Sequence, residues 1–430
     1  MDASNLPWNA SPTASPELRI INADDFEAWY ASLVDAFGGV PEAPEEAALW
    51  QELTELDRSI GAFDAKTVVG SAGAFSFGLA VPGGAETAER PLVPAAGVTM
   101  VGVRSTHRRR GLLSAMMRSQ LDDVRGRGEP VAVLTASEPA IYGRFGYGLA
   151  SLRVSVTMDR HRVRIADPGL GRELRLSQAD PVESLAVCEE LYARVGPTRA
   201  GWLRRPAGWE KVAVLDPSSD RDGHSPLFCV LVEDPVTGGL GGYARYAVKP
   251  SWDRSGPNGS VRVRELYAAS PEATAALWRY LLDVDLTDTV TSAGRPVDDA
   301  LLSLVDDPRR CGPVVGDGIY LRPVEVGAAL GARGYYRPVD LVLEVEDAFC
   351  PWNTGRWRLS ADGKGAVCER TTDPADLALT VRELGAAYLG GVTLRSLATA
   401  GRVRELRAGA LAAASAAFAT DLAPWLPRGF

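Results

Sequence analysis

The sequence predicts an α/β protein with mixed α+β sheets, arranged in three successive blocks. Three observations carry that reading. Residues 96–136 run strand, basic loop, helix, strand; residues 261–282 repeat the strand-then-helix order without the basic loop; and residues 339–346 alternate apolar with charged before a series of helical patterns. A chain of 430 residues also exceeds what one hydrophobic core usually supports.

The first block covers residues 1–150. Residues 1–18 are rich in Ser, Pro and Ala and read as a loose tail. Two helices follow, at residues 24–37 with Phe26, Trp29, Leu33 and Phe37 on one face, and at residues 45–56 with Leu49, Trp50 and Leu53. Residues 67–81, rich in Gly, Val and Phe and closed by Pro82-Gly83-Gly84, read as paired strands. Residues 96–103 are apolar and β-prone. The chain then turns basic and Gly-marked, and enters a helix with Leu113, Met117, Leu121 and Val124 on one face. Residues 131–136 form another short buried strand. Ser137 is placed to cap a helical turn opening at Pro139, which Gly143, Gly146 and Gly148 soon break.

The second block, residues 151–319, holds a hairpin at 231–248, a strand at 261–266 and a helix at 271–282 carrying Ala275, Leu277, Trp278 and Leu281. Arg264-Glu-Leu-Tyr-Ala-Ala-Ser270 stands where the first copy has its Arg and Gly run, so this copy should hold no phosphate. The third block, residues 320–430, opens into strands in which Val339, Leu341, Leu343 and Val345, then Trp357 and Leu359, then Leu377, Leu379 and Val381 face inward. Helices are expected at residues 383–389, 394–400 and 408–419. Pro424 and Pro427 forbid a regular helix at the chain end, while Trp425, Leu426 and Phe430 are too apolar for a free tail; it should dock on the body of the protein.

Composition narrows the function classes. The 46 basic and 55 acidic residues leave a net charge of −9, which repels phosphate backbones and suits cationic small molecules better than nucleic acid. Cys188, Cys229, Cys311, Cys350 and Cys368 are odd in number, without CxxC spacing and away from the three histidines, so neither a disulfide framework nor a metal site is indicated. They read as buried thiols in a reducing compartment. With neither a signal peptide nor a membrane span in evidence, a cytoplasmic location is expected.

The strongest motif is Val101-Gly-Val-Arg-Ser-Thr-His-Arg-Arg-Arg-Gly-Leu-Leu113. A strand that ends in a basic, Gly-bearing loop and opens a helix gathers unpaired amide N–H groups at the positive helix end, which is an anion site. Arg108 and Arg109 add charge, and Gly111 lets the backbone approach the ligand. The bland alternative is a solvated basic turn.

On these residues the chain resembles a known family. Arg108-x-x-Gly111-x-Leu113 after a valine-rich strand looks like the acetyl-coenzyme A pyrophosphate loop of the GNAT N-acetyltransferases. Taken with Ala136-Ser-Glu138 and Ile141-Tyr-Gly-Arg-Phe-Gly-Tyr-Gly148, it is similar to the enhanced intracellular survival (Eis) acetyltransferases of actinobacteria, and the likeness spans the whole chain. The resemblance implies tandem GNAT-like domains, the second without cofactor, followed by a sterol-carrier-like domain. It also implies that Val101, Gly102 and Val103 hold the pantetheine arm as an added strand and that Arg108, Arg109, Arg110, Gly111, Leu112, Leu113 and Ser114 hold the pyrophosphate. Ser137 and Glu138 would line the other side.

The family's mechanism, carried over, makes acetyl-coenzyme A the acetyl donor and a primary amine of a small cationic acceptor the nucleophile, through a tetrahedral intermediate and without a metal. Tyr142 takes the place of the general acid, a phenol being nearly fully protonated at neutral pH, with Tyr147 as a packing aromatic. The general base is the C-terminal carboxylate, here that of Phe430, which burial must make more basic or water must serve as a relay. Phe37, Trp50 and Met100 would wall the amine pocket. Gly429 and Gly39 stand where members acting on aminoglycosides can place acids, so the acceptor could equally be a polyamine or a lysine-type amine. The resemblance further implies a hexamer. The competing reading is a non-catalytic protein that senses acetyl-coenzyme A or binds an apolar ligand in its third domain.

Overall fold

The computed structural model describes residues 16–84, 90–362 and 365–430. The loose tail expected at residues 1–18 lies almost wholly outside the described residues, and its last two residues, Glu17 and Leu18, open the first strand.

The first sheet is built from β1 (Glu17–Ile20), β2 (Ile60–Asp64), β3 (Thr67–Ala80), β4 (Leu92–Val103), β5 (Val131–Leu134) and β6 (Gly148–Leu149). Its order is β1-β2-β3-β4-β5, then Tyr320–Pro323, then β6. A strand from the start of the third block therefore sits inside the first sheet, and Leu203–Arg204 of the second block adds to β3. Residues 67–81, expected as paired strands, form one 14-residue strand instead. The reason is not local: the strand finds partners along its length in β2 and β4, which hold it extended through Gly70, Gly73 and Gly78.

The helices α1 (Phe26–Ala36), α2 (Pro44–Leu53), α3 (Leu112–Gly126) and α4 (Pro139–Tyr142) complete this unit. An Asn22–Asp25 capping box leads into α1, which buries Trp29 and sends its indole N–H to the Ile60 carbonyl at 2.8 Å. The buried face of α3 is Leu112, Met116, Met117, Gln120, Leu121 and Val124, and the Gln120 amide donates to the Gly73 carbonyl at 2.8 Å. Because α3 crosses over between them, β4 and β5 run parallel.

The second sheet has the order Val314–Asp317, Leu152–Asp159, Thr287–Pro296, Gly259–Ala268, Leu240–Lys249, Phe228–Glu233, Leu176–Ala179. Helix Pro271–Leu282 joins its parallel pair, Gly259–Ala268 and Thr287–Pro296, as α3 joins β4 and β5. The third sheet runs Ala366–Arg370, Gly355–Ala361, Val339–Glu346, Leu377–Thr380, Val403–Glu405. Helices Val326–Gly331, Val381–Tyr388, Leu394–Thr399 and Ala410–Phe418 accompany it. Val381, expected as an inward strand residue, is the first residue of a helix, because the Thr380 hydroxyl caps it by accepting from the Arg382 N–H.

Two devices hold the first sheet, with its inserted strand Tyr320–Pro323, and the rest of the third block together. Arg322 and Asp347 form an ion pair at 2.5 Å with both side chains essentially out of solvent, and Arg322 also donates to the Phe145 carbonyl. A continuous core, which includes Phe75, Val133, Leu321, Leu343, Leu384 and Leu426, spans both.

The tail after Phe418 docks as expected. Arg90 pairs with Asp421 at 2.8 Å, Arg199 donates to the Ala423 carbonyl at 2.9 Å, and the Trp425 indole donates to the Gly294 carbonyl at 2.6 Å.

Candidate functional site

The site begins where β4 and β5 part. They pair only at Ala95–Val131, Ala96–Ala132 and Gly97–Val133. From Val98 to Val103 the edge of β4 that faced β5 has no partner strand among the described residues. A bulge reinforces the divergence: between the Gly73–Thr99 and Ser71–Gly102 pairs, Met100 and Val101 face the single residue Ala72, and Met100 takes φ +53°. Val101, Gly102 and Val103 lie on this free edge, half-buried.

β4 leads into the basic loop. Arg108 reaches back to the Val103 and Ala36 carbonyls at 3.4 Å each, while Arg109 and Arg110 are exposed and make no hydrogen bond or ion pair among the described residues. Gly111 precedes α3 with φ +82°, a left-handed conformation that strains any residue with a Cβ, and no side chain among the described residues caps the helix. The first-turn amides of Leu112, Leu113 and Ser114 therefore lack intrahelical acceptors beside three guanidinium groups.

The second copy differs at this point. Ser270 caps its helix by accepting from the Ala273 N–H at 3.1 Å, and Pro271 at the first helical position has no N–H to offer. Its diverging strands are filled as well. Arg295 donates to the Leu266 carbonyl at 3.0 Å and lies over the Trp425 ring at 5.3 Å.

The same tail ends in the first opening. The Thr99 hydroxyl donates to a Phe430 carboxylate oxygen at 3.3 Å, and a Cβ on Gly429 would stand 3.2 Å from the Thr135 hydroxyl, so the last two residues lie between β4 and the end of β5. Gly97 makes room for the terminal ring: a Cβ there would fall 2.4 Å from the Phe77 ring and 3.0 Å from that of Phe430. Phe430 packs on Phe77 at 5.1 Å, Phe77 on Trp209 at 5.0 Å, and Trp209 on Trp50 at 6.0 Å, a continuous aromatic wall.

Of the residues expected around the acceptor, Trp50 is part of this wall and Met100 packs against the same hydrophobic core, accepting a long contact from the Thr54 hydroxyl at 4.0 Å. Phe37 does not join them: it is 61% exposed just past the end of α1, where the chain turns outward through two positive-φ glycines, Gly38 and Gly39.

Across the opening, Ser137 and Glu138 are exposed at its rim. Ser137 does not cap α4. With Pro139 at the first helical position the cap falls to Glu138, which makes no side-chain capping bond. Tyr142 closes α4, half-buried, its ring edge-on to Tyr147 at 6.0 Å. Burial, and secondarily the charge of Glu138, raises its pKa above that of a free phenol, so it stays protonated. Tyr147 is 1% exposed, and among the described residues its hydroxyl has no hydrogen-bond partner.

Sequence reasoning did not single out Thr99, Thr135, Phe77, Trp209, Arg205 or Arg428. None stands in a motif, and only the return of the tail gives them a role. All five cysteines are free and buried, and among the described residues no group of three or more His, Cys, Asp or Glu side chains could hold a metal ion.

Comparison with known proteins agrees with this architecture. Residues 17–150 match the family description of an acetyltransferase (GNAT) domain, residues 201–322 a second acetyltransferase (GNAT) domain, and residues 326–427 a sterol carrier protein domain. An uncharacterized N-acetyltransferase of Streptomyces avermitilis is 57% identical over 96% of this chain and 99% of its own. N-acetyltransferase Eis of Mycobacterium tuberculosis is 36% identical over 91% and 93%. The crystal structure of Eis1 from Mycobacterium abscessus superposes with a TM-score of 0.81 at 34% identity, covering 96% of this chain and all of that one.

Proposed function

The chain belongs to the Eis family of GNAT N-acetyltransferases, and from that premise we propose that it acetylates the primary amine of a small acceptor, with the Phe430 carboxylate as base and Tyr142 as acid. The observation that carries the reading is the position of the chain end, between β4 and β5 at the foot of the aromatic wall.

Acetyl-coenzyme A fits the donor set on the other side of the opening. Its pyrophosphate would be held by Arg108, Arg109 and Arg110 and by the backbone of Gly111 to Ser114, and its amide-bearing arm by the unpartnered edge of Val101 to Val103, with Ser137 and Glu138 facing it. When bound it supplies an acetyl thioester. The protein's own groups do the proton work: the Phe430 carboxylate accepts the ammonium proton, and Tyr142 holds a proton at Oη for the leaving sulfur. The Thr99 hydroxyl fixes the carboxylate by hydrogen bonding.

Polyamines, aminoglycosides and lysine-type amines are the acceptor classes for this site. Gly429 and Gly39 bring no carboxylate to it, which weakens the case for aminoglycosides. Thiol release from acetyl-coenzyme A across an amine panel tests the proposal; a folded, acetyl-coenzyme A-binding protein that releases no thiol with any amine would refute it. The reading extends to a cytoplasmic hexamer. Among the described residues no helix is long and apolar enough to cross a membrane, and light scattering that reports a stable monomer would overturn the assembly.

A further inference from the structure

A small cavity adjoins the chain end. Phe77, Tyr192, Arg205, Trp209, Arg428 and Phe430 are among the residues that line it, and its volume is about 30 Å³. Such a space takes a water or two, or one carboxylate, but not a whole acceptor. It is walled by charge as well as by rings.

The charges are unequally committed. Arg205 is fixed by Glu189 at 2.5 Å and Glu265 at 3.8 Å and stacks over the Tyr192 ring at 3.8 Å. Arg264 is held by Asp216 at 3.5 Å and by the Leu215 carbonyl at 3.0 Å, and Arg245 pairs with Glu265. Arg428 has no hydrogen bond or ion pair among the described residues; the neighbouring Phe430 carboxylate takes the Thr99 hydroxyl instead. Although solvent reaches Arg428, it lies among enough protein for desolvation, and then the charge of Arg264, to draw its pKa down to about 10, which leaves it a cation at neutral pH. Around the chain end four guanidinium groups (Arg205, Arg245, Arg264 and Arg428) thus meet four carboxylates (Glu189, Glu265, Asp216 and the terminus of Phe430), and among the described residues Arg428 is the guanidinium of these that none of them engages.

We propose that Arg428 binds a carboxylate on the acceptor, so that the preferred substrates are amino-carboxylates of the lysine type rather than pure polycations. The inference rests on the amine acetylation proposed above and narrows it. A carboxylate in the cavity meets an uncommitted guanidinium, which offers a bidentate pair, while the aromatic wall covers the aliphatic stem that separates it from the amine. A second ammonium there would face the Arg428 guanidinium, a like charge that no carboxylate among the described residues pairs. An acceptor bearing one charge of each sign matches both ends of the cleft, amine toward the Phe430 carboxylate and carboxylate toward Arg428.

The test uses the full chain with its native C-terminus and measures thiol release for two matched pairs, lysine against cadaverine and 4-aminobutanoate against butylamine. The proposal expects the carboxylate-bearing member to have the higher kcat/KM in each pair. It also expects Arg428→Ala to lower the lysine-to-cadaverine ratio about tenfold or more, chiefly through KM, with Arg428→Lys recovering part of it. Arg428→Glu should invert the preference. Equal or better turnover of the plain amines by the native chain overturns the proposal while leaving the acetyltransferase reading intact. So does an Arg428→Ala chain that loses activity equally on both members, which would assign Arg428 to holding the chain end. No thiol release with any amine would overturn both.

Discussion

The hydroxyl of Thr99 and the terminal carboxylate of Phe430 are hydrogen-bonded at 3.3 Å across 331 residues of sequence. A strand of the first domain is thereby tied to the last atoms of the third, and the chain end becomes part of a site whose other walls are built more than two hundred residues earlier. Four expectations follow from this geometry and from the loop beside it.

Extending the chain beyond Phe430 replaces its carboxylate with a peptide bond and moves the charge away. An uncleaved C-terminal tag, or deletion of Phe430, should lower turnover about 10²-fold or more, the usual scale for loss of a general base. Acetyl-coenzyme A affinity should change little, since the loop at residues 108–114 is untouched. Steady-state thiol release on tagged, truncated and native chains decides it, and full activity with the tag in place would reject Phe430 as base.

Tyr142→Phe removes the proton donor and keeps the ring on Tyr147. Turnover should fall about 10²-fold with the melting temperature nearly unchanged. A pKa raised by burial means the proton is retained as pH rises, so native kcat should show no Tyr142-dependent decline below about pH 10. A native pH profile that drops between pH 7 and 9 and flattens in Tyr142→Phe would contradict this.

Arg108 and Arg109 are exposed, so replacing them with Ala should not unfold the protein. Charge-assisted bonds of about 1.5–3 kcal/mol each predict that the double variant weakens acetyl-coenzyme A binding by orders of magnitude. Calorimetry with unchanged affinity would remove the loop from the cofactor site.

Arg322→Ala leaves Asp347 charged, 3% exposed, and supported by the Asn353 amide at 3.0 Å and the Cys350 N–H at 2.9 Å. Breaking one side of a buried pair should cost about 3–5 kcal/mol, whereas Arg322→Leu combined with Asp347→Asn should cost much less. Denaturant unfolding of the two variants measures the difference; equal losses would mean that packing around Arg322, rather than its charge, carries the contribution.

Much of this protein is local and was legible as such. Helix Pro271–Leu282 and strand Val339–Glu346 follow directly from apolar periodicity, and the Gly-bearing basic turn that opens α3 follows from where Arg and Gly stand between strand and helix. The missing Arg and Gly run of the second copy was also readable, and the structure adds that Ser270 and Pro271 consume or remove the very amides that Gly111 leaves free. Local rules failed where a neighbour set the outcome. β3 is one strand because two partners flank it, Phe37 turns outward at the end of α1, and the proline at position 139 moves the cap from Ser137 to Glu138.

The sequence by itself determined most of the helices and strands, the basic loop and the need of an apolar tail for a docking place. Only the tertiary structure decided where that tail ends. Thr99, Thr135, Trp209 and Arg428 carry no periodic or spacing signal, because a side chain's role in a cleft depends on which distant segment reaches it. That choice is made by packing between domains. The Arg322–Asp347 pair and the strand Tyr320–Pro323 lock the third block onto the first sheet, and the tail is then directed through the second domain's filled opening into the first.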